Sequence, residues 1–494
     1  MKKTVILLFV FLASIELNGQ YLLGILNYNA FSTAKMESFI EFQFMIDGKT
    51  TRYVLNENHK YFSEVEIIVN INKKKSVLQK DSLIETIHYI LMSEEFEDSI
   101  QKTKPYFMDI QNVKVPNGDY ELNFYIKDVH DTTKVIKYID FLQVYFPKDK
   151  IGLSGLSLWQ TFNATGEGGI YNKYGYSVTP LFNNFAPESV YALPVTLEIY
   201  NAQKIFGDDA DFLVRASIVP ADLYIRGDKE YVEYRKMKSK EAIVFLHQFN
   251  IFGLASGNYN VVVEVLDADS NVMGKASAFL QRSNPSVKLD LKNYDNVIID
   301  STFVEKITDM KVMQDYVASL YPIGTVAEQE FFHQRLKNVP IERLQKFFYS
   351  FWVKRSPTDP QGEWEAYHKK VEYVQAHYGS PVIQGYRTDR GRVYLKYGEP
   401  TSVTEVPFDP QSYPYEIWHY YVIGEQTNVK FIFYNRDLIS NNYELLHSDM
   451  IGETYDPSWQ MRLVKRLDPS SNPDVTKPND YWGGEADDQY RYNK

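Results

Sequence analysis

Through the first part of the chain, apolar and polar residues alternate with a period of two. Phe39-Ile40-Glu41-Phe42-Gln43-Phe44 is such a run, and Asp47-Gly48 follows it as a hairpin signal. Val195-Thr196-Leu197-Glu198-Ile199-Tyr200 repeats the pattern. That period belongs to a strand with one face on a core. Two longer segments read alike: Pro116-Asn117-Gly118-Asp119-Tyr120 through Asp128, and Ala255-Ser256-Gly257-Asn258-Tyr259 through Asp267. Gly118 and Gly257, Tyr120 and Tyr259, and Asp128 and Asp267 correspond at one constant offset. Phe141-Leu142-Gln143 and Pro147 are echoed in the same way by Phe279-Leu280-Gln281 and Pro285, at an offset one residue shorter. Glycine supplies the turn, tyrosine opens an alternating strand and aspartate ends it.

Many short strands separated by turn signals favour packed antiparallel sheets over a parallel sheet. The G-x-Y strand resembles the late strand of immunoglobulin-like and fibronectin-like modules, in which such a tyrosine often braces a corner. Residues 20–150 and 151–285 are therefore expected to form two tandem all-β immunoglobulin-like sandwiches. A long loop is expected within 151–185, where Gly152, Gly155, Gly166, Gly168 and Gly169 cluster. Asp267-Ala268-Asp269-Ser270-Asn271 imitates the start of a calcium loop. Val272 and Ala278 stand where such a loop needs glycine and a bidentate carboxylate, so a hairpin tip is expected.

From about residue 300 the period changes. Phe303, Ile307, Met310, Val317 and Leu320 fall on a helical stripe that Pro322 and Gly324 end. Thr325 with Glu328 is a capping-box pair. Pro340 suits a first helical turn, ahead of Leu344, Phe347, Phe348, Phe351 and Trp352. A further helix is predicted from Glu363 to Tyr378 with Gly379 as its cap. Strands are predicted at 392–397, 416–421, 430–434 and 443–447. Helices first and strands second indicate an α+β domain, assigned to 286–455. Residues 456–494 read as a polar tail.

At the N-terminus, Met1-Lys2-Lys3 precedes the apolar run Thr4–Ser14, and Leu17-Asn18-Gly19 offers a cleavage position before Gln20. This predicts a secretory signal peptide over 1–19. The run is too short for a membrane helix of about 20 residues, and no transmembrane span is expected after signal removal. The 494-residue chain carries 53 Lys and Arg against 64 Asp and Glu, a net charge of −11, which argues against nucleic acid as a partner. It has no cysteine, which excludes disulfides, thiolate metal sites and a lipidated N-terminal cysteine.

Four ordered blocks then point to a family. They are Phe351-Trp352-Val353-Lys354-Arg355, Gly385-Tyr386-Arg387-Thr388-Asp389-Arg390-Gly391-Arg392-Val393-Tyr394, Tyr397-Gly398-Glu399-Pro400 and Tyr415-Glu416-Ile417-Trp418-His419-Tyr420. Over about residues 290–450 the chain resembles the GWxTD domain of bacterial envelope proteins, named for the pentapeptide that Gly385–Asp389 matches. Tyr386 stands where that signature has tryptophan. The resemblance implies a fold unit and an exported address, periplasmic or outer-membrane associated, and no particular reaction.

The candidate binding residues are Tyr386, Thr388, Asp389, Arg390, Arg392 and Trp418, with Tyr481 and Trp482 in the tail as a docking point. The bland reading of Thr388 and Asp389 is a turn in which they accept backbone N–H groups and pair with an arginine. No catalytic residue, metal or cofactor is assigned. No G-x-S-x-G occurs, and Gly398-Glu399-Pro400 lacks the residues of a phosphate loop. His368 and His377 fall on opposite faces of one predicted helix. His419 with His447 on neighbouring strands is the remaining histidine pairing. The expected role is a non-enzymatic binding or scaffold module for other envelope proteins. The alternative is a carbohydrate-directed protein, a glycan binder or a hydrolase using Asp389, Glu399 or Glu416.

Overall fold

The computed structural model describes residues 22–33, 37–74, 82–97, 104–164, 171–221, 231–409, 412–424, 426–438, 441–456, 459–465 and 490. The expected signal peptide, the glycines at 166, 168 and 169, and Tyr481 and Trp482 lie outside these residues.

The N-terminal region is built mostly of β-sheet. Its first part contains β1 (Gly24–Ser32), β2 (Ser38–Ile46), β3 (Val54–Leu55), β4 (Tyr61–Phe62), β5 (Glu64–Lys73), β6 (Ser82–Met92), β7 (Phe107–Lys114), β8 (Gly118–Asp128) and β9 (Val135–Val144). A three-stranded sheet, β1-β2-β7, and a four-stranded sheet, β6-β5-β8-β9, feed one core. The alternation explains it: Ile40, Phe42 and Phe44 of β2 and Val65, Ile67, Val69 and Ile71 of β5 are all buried there. Asp47-Gly48 does not open a hairpin. Asp47 accepts the Lys49 N–H and caps a 3₁₀ turn, while β2 pairs with β1 and β7.

The next part comprises β10 (Gly152–Leu153), β11 (Ser157–Ala164), β12 (Tyr171–Lys173), β13 (Tyr176–Pro180), β14 (Phe185–Ala186), β15 (Ala192–Tyr200), α1 (Ala202–Phe206), β16 (Asp211–Pro220), β17 (Val232–Lys238), β18 (Ala242–Asn250), β19 (Gly257–Leu266) and β20 (Val272–Arg282). One sheet runs β10-β15-β11-β13-β12 with β18 also on β15, and a second runs β14-β20-β19-β16-β17. Both supply a separate core. Within 151–185 the described residues include the strands β10 to β13, with Trp159 and Val178 buried, and the glycine-rich stretch where the long loop is expected, 165–170, lies outside the described residues.

The repeated tyrosines occupy equivalent places. Tyr120 donates its hydroxyl to the Pro116 carbonyl, and Tyr259 donates to the Ala255 carbonyl at 3.0 Å. Each therefore ties the start of its hairpin to the turn four residues before it. Asp267 accepts the N–H groups of Asp269 and Asn271 at 2.9 and 2.8 Å, as a hairpin tip should.

The two β-rich parts are joined by buried polar contacts. Tyr200 lies in the first core, edge-on to Phe146, and its hydroxyl accepts the Ser32 N–H at 2.9 Å. Lys173 reaches both Glu41 carboxylate oxygens at 2.8 Å.

The C-terminal part has the helices α2 (Met310–Ser319), α3 (Val326–Gln334), α4 (Ile341–Arg355), α5 (Pro360–Tyr378) and α6 (Asp389–Tyr397). They precede the antiparallel sheet β21 (Ser402–Val406), β22 (Tyr415–Ile423), β23 (Gln426–Tyr434) and β24 (Glu444–Ser448), in that order, and α7 (Trp459–Leu463) follows. The capping box forms as expected, with Thr325 and Glu328 bonding reciprocally at 3.3 and 2.8 Å. Leu344, Phe347, Phe348, Phe351, Trp352, Trp364 and Tyr367 fill a helical core. The predicted strand at 392–397 is a correction: these residues are helix α6. Val393 points to the sheet and Leu395 to the helical core, so burial on both sides imitates the alternation of a strand. Trp459 and Leu463 of α7 cover the opposite face of the sheet, together with Tyr490.

Candidate functional site

The Gly385–Asp389 pentapeptide is a 3₁₀ turn followed by the start of α6, and Gly385, Thr388 and Asp389 each have an internal task. At Gly385 the backbone presses on α5. A Cβ there would overlap the Val374 carbonyl and the Gln375 nitrogen, so glycine is required. The Gly385 N–H is held by the Gln375 side chain at 2.7 Å. Thr388 caps α6: its hydroxyl accepts the Gly391 N–H at 3.1 Å and donates to the Gly385 carbonyl at 2.7 Å. Asp389 accepts the Leu445 N–H at 2.8 Å, beside the bulge where β24 pairs with β23. The pentapeptide thus joins α5, α6 and β24.

The arginines extend this frame. Arg390 is buried, donates to Glu416 at 2.5 Å, holds Asn441, and lies over the rings of Tyr378 and Tyr443. Glu416 also accepts the Trp418 indole N–H at 2.9 Å. Burial pushes the Glu416 carboxyl up, with Arg390 and Trp418 opposing. Arg392 forms two bonds to Glu453, at 2.9 and 2.8 Å, and Lys396 and Tyr397 complete the group at 3.0 and 2.7 Å. Burial alone would raise the Glu453 carboxyl, but Arg392 and Lys396 outweigh it and bring it down to about 2.

Tyr386 is different. Its ring is buried at the foot of a cleft of about 350 Å³ between α2 and α5, lined also by Asp315, Tyr316, Ser319, His368, Glu372 and Gln375. Burial raises the Tyr386 hydroxyl, with Arg387 acting against it. His368 stacks on Trp364 with ring centres 4.8 Å apart and meets Tyr316 edge-on at 5.0 Å. Its Nε2 lies 3.7 Å from Glu372, and its buried Nδ1 has no hydrogen-bond partner.

The structure therefore splits the sequence candidates. Thr388, Asp389, Arg390, Arg392 and Trp418 belong to the internal frame, and among the described candidates only Tyr386 lines the cleft. Asp389, Glu399 and Glu416 do not gather there: Asp389 holds β24, Glu416 holds Arg390, and Glu399 is exposed. His419 and His447 are not on neighbouring strands, because β23 separates β22 from β24. No group of three or more metal-ligating side chains occurs among the described residues. The sequence reading missed Asp315 and Glu372 on the cleft rim and Glu453 beneath Arg392. Their positions depend on long-range packing with no local motif.

The GWxTD domain model matches residues 292–465, which contain the whole of this frame and cleft. Residues 292–465 are thus a GWxTD domain. No curated protein matches it. Among solved structures, the crystal structure of red sea bream transglutaminase is 6% identical with a TM-score of 0.17; the match covers 53% of this chain and 31% of that one. The chain thus spans about a third of that protein's length, and a likeness at this score carries no argument.

Proposed function

We propose that this protein is exported to the cell envelope, periplasmic or outer-membrane associated. There, two immunoglobulin-like sandwiches present the GWxTD domain as a binding or scaffold module for other envelope proteins. The reading is supported by the leader-like N-terminus, by the paired tyrosine-braced hairpins and by the GWxTD domain over 292–465. One observation carries it: the signature's Thr388 and Asp389 side chains are engaged inside the domain, and beside them Tyr386 lines an aromatic cleft suited to contact. No helix among the described residues is long and apolar enough to cross a membrane.

Co-purification from envelopes in mild detergent is expected to recover a stoichiometric protein partner, and intact mass should show a chain starting at Gln20. A chain that emerges alone and monomeric, or one retained by peptidoglycan or polysaccharide instead, overturns the scaffold reading.

A further inference from the structure

The cleft carries a chemical signature of its own. Two carboxylates stand on its rim, Asp315 from α2 and Glu372 from α5, and its lining includes neither lysine nor arginine. Between them lie apolar and aromatic surfaces: Tyr316, Val371, Ala376 and the buried ring of Tyr386. Aromatic faces attract a cation that approaches them, and carboxylates at the mouth reinforce that attraction. Apolar walls suit a long aliphatic stem that ends in charge. A cavity of about 350 Å³ is at the small end for ligand sites, adequate for one long side chain and its adjoining backbone.

From this geometry we infer that the cleft receives a basic side chain, lysine or arginine, presented by a protein partner. The inference rests on the binding-module reading and specifies what that module recognises. The stem packs against Tyr386, Tyr316 and Val371. The cationic head lies between Asp315 and Glu372, both exposed, with Glu372 also 3.7 Å from His368 Nε2. Arg387 is the nearby cation to account for. It is exposed and outside the lining, with its guanidinium 5.9 Å from the centre of the Tyr386 ring. It marks one side of the cleft as unfavourable to a second positive charge, so a single basic residue is preferred over a run of them.

The residue at the signature's aromatic position bears on size. Tryptophan there is bulkier than Tyr386, so Tyr386→Trp is expected to narrow the cleft floor while keeping an aromatic plane.

The test uses the full-length chain and three small probes: the Nα-acetyl methylamides of lysine, arginine and norleucine. Saturation-transfer NMR reads weak binding of such probes to a large protein. Lysine and arginine should receive saturation along their side-chain methylenes, and norleucine, with the same stem and no charge, several-fold less. The double variant Asp315→Asn, Glu372→Gln should lose most of the signal, while its thermal transition stays where it was. Tyr386→Trp should reduce it without changing the preference for charge. Equal signals from norleucine and lysine, no signal from either basic probe, or an unaffected double variant each overturn the assignment. Partner recovery by the double variant separates the two levels. A partner retained at the original stoichiometry removes the basic-residue assignment and leaves the scaffold reading standing. Absence of any partner from the unaltered protein removes the scaffold reading itself.

Discussion

The two sides of the Gly385–Asp389 turn follow opposite rules. On one side, Thr388, Asp389, Arg390 and Arg392 each meet an internal partner, and the arginines and their carboxylates are largely shielded from water. On the other, Asp315, Glu372 and His368 line a cavity. The difference teaches that the polar part of a family signature can serve architecture, with recognition left to neighbours outside the motif. Changes on the frame side should alter stability, and changes on the cleft side should alter binding alone.

The largest expected effect is Arg390→Ala. It leaves Glu416 buried without its cation, and breaking such a pair costs about 3–5 kcal/mol. Tryptophan fluorescence is a suitable readout for the C-terminal domain, because every tryptophan except Trp159 lies beyond residue 350. Acid should act next, through Glu453. Its carboxyl is held at about 2, below its ordinary value of 4.5, so the stabilisation is complete above that ordinary value and disappears as pH falls from there towards about 2. A shift of this size corresponds to about 3 kcal/mol, and Glu453→Gln should abolish that pH dependence in a denaturant titration repeated at several pH values.

Gly385→Ala forces a Cβ against the α5 backbone and should cost about 1–3 kcal/mol by the same fluorescence measurement. Thr388→Ala removes the α6 cap and should cost about 1 kcal/mol. Smallest of all, Asp315→Asn with Glu372→Gln should move stability by no more than about 0.5 kcal/mol, as exposed substitutions usually do. A large loss of stability in that pair would break the contrast between the two sides.

Several elements were legible because local chemistry decides them. Thr325 with Glu328 announced the start of α3, and Gly379 the end of α5. The repeated Gly-x-Tyr announced two equivalent hairpins, since the turn and the tyrosine brace lie within a few residues of one another. Helix α6 was misread because it is wedged between two cores, and its buried residues Val393 and Leu395 mimic a strand's period. Thr388 as its cap and Gly398 at φ +87° as its stop were the signals that local reasoning could have weighed more heavily. The turn chemistry of Thr388 and Asp389 was visible in residue type. The cleft was not, because it exists only once α2 packs beside α5, some 50 residues further along the chain.

Tyr200 has a consequence for dissecting the molecule. It belongs by chain to β15 but by burial to the core that β2, β5 and β8 build, where it braces Phe146 and holds the Ser32 N–H. A fragment cut at residue 150 would lose that plug and open a hole at its own base. Whoever wishes to produce the first β-rich part by itself should therefore expect it to melt early and to expose Phe146, unless the excised piece keeps the strand that ends at Tyr200.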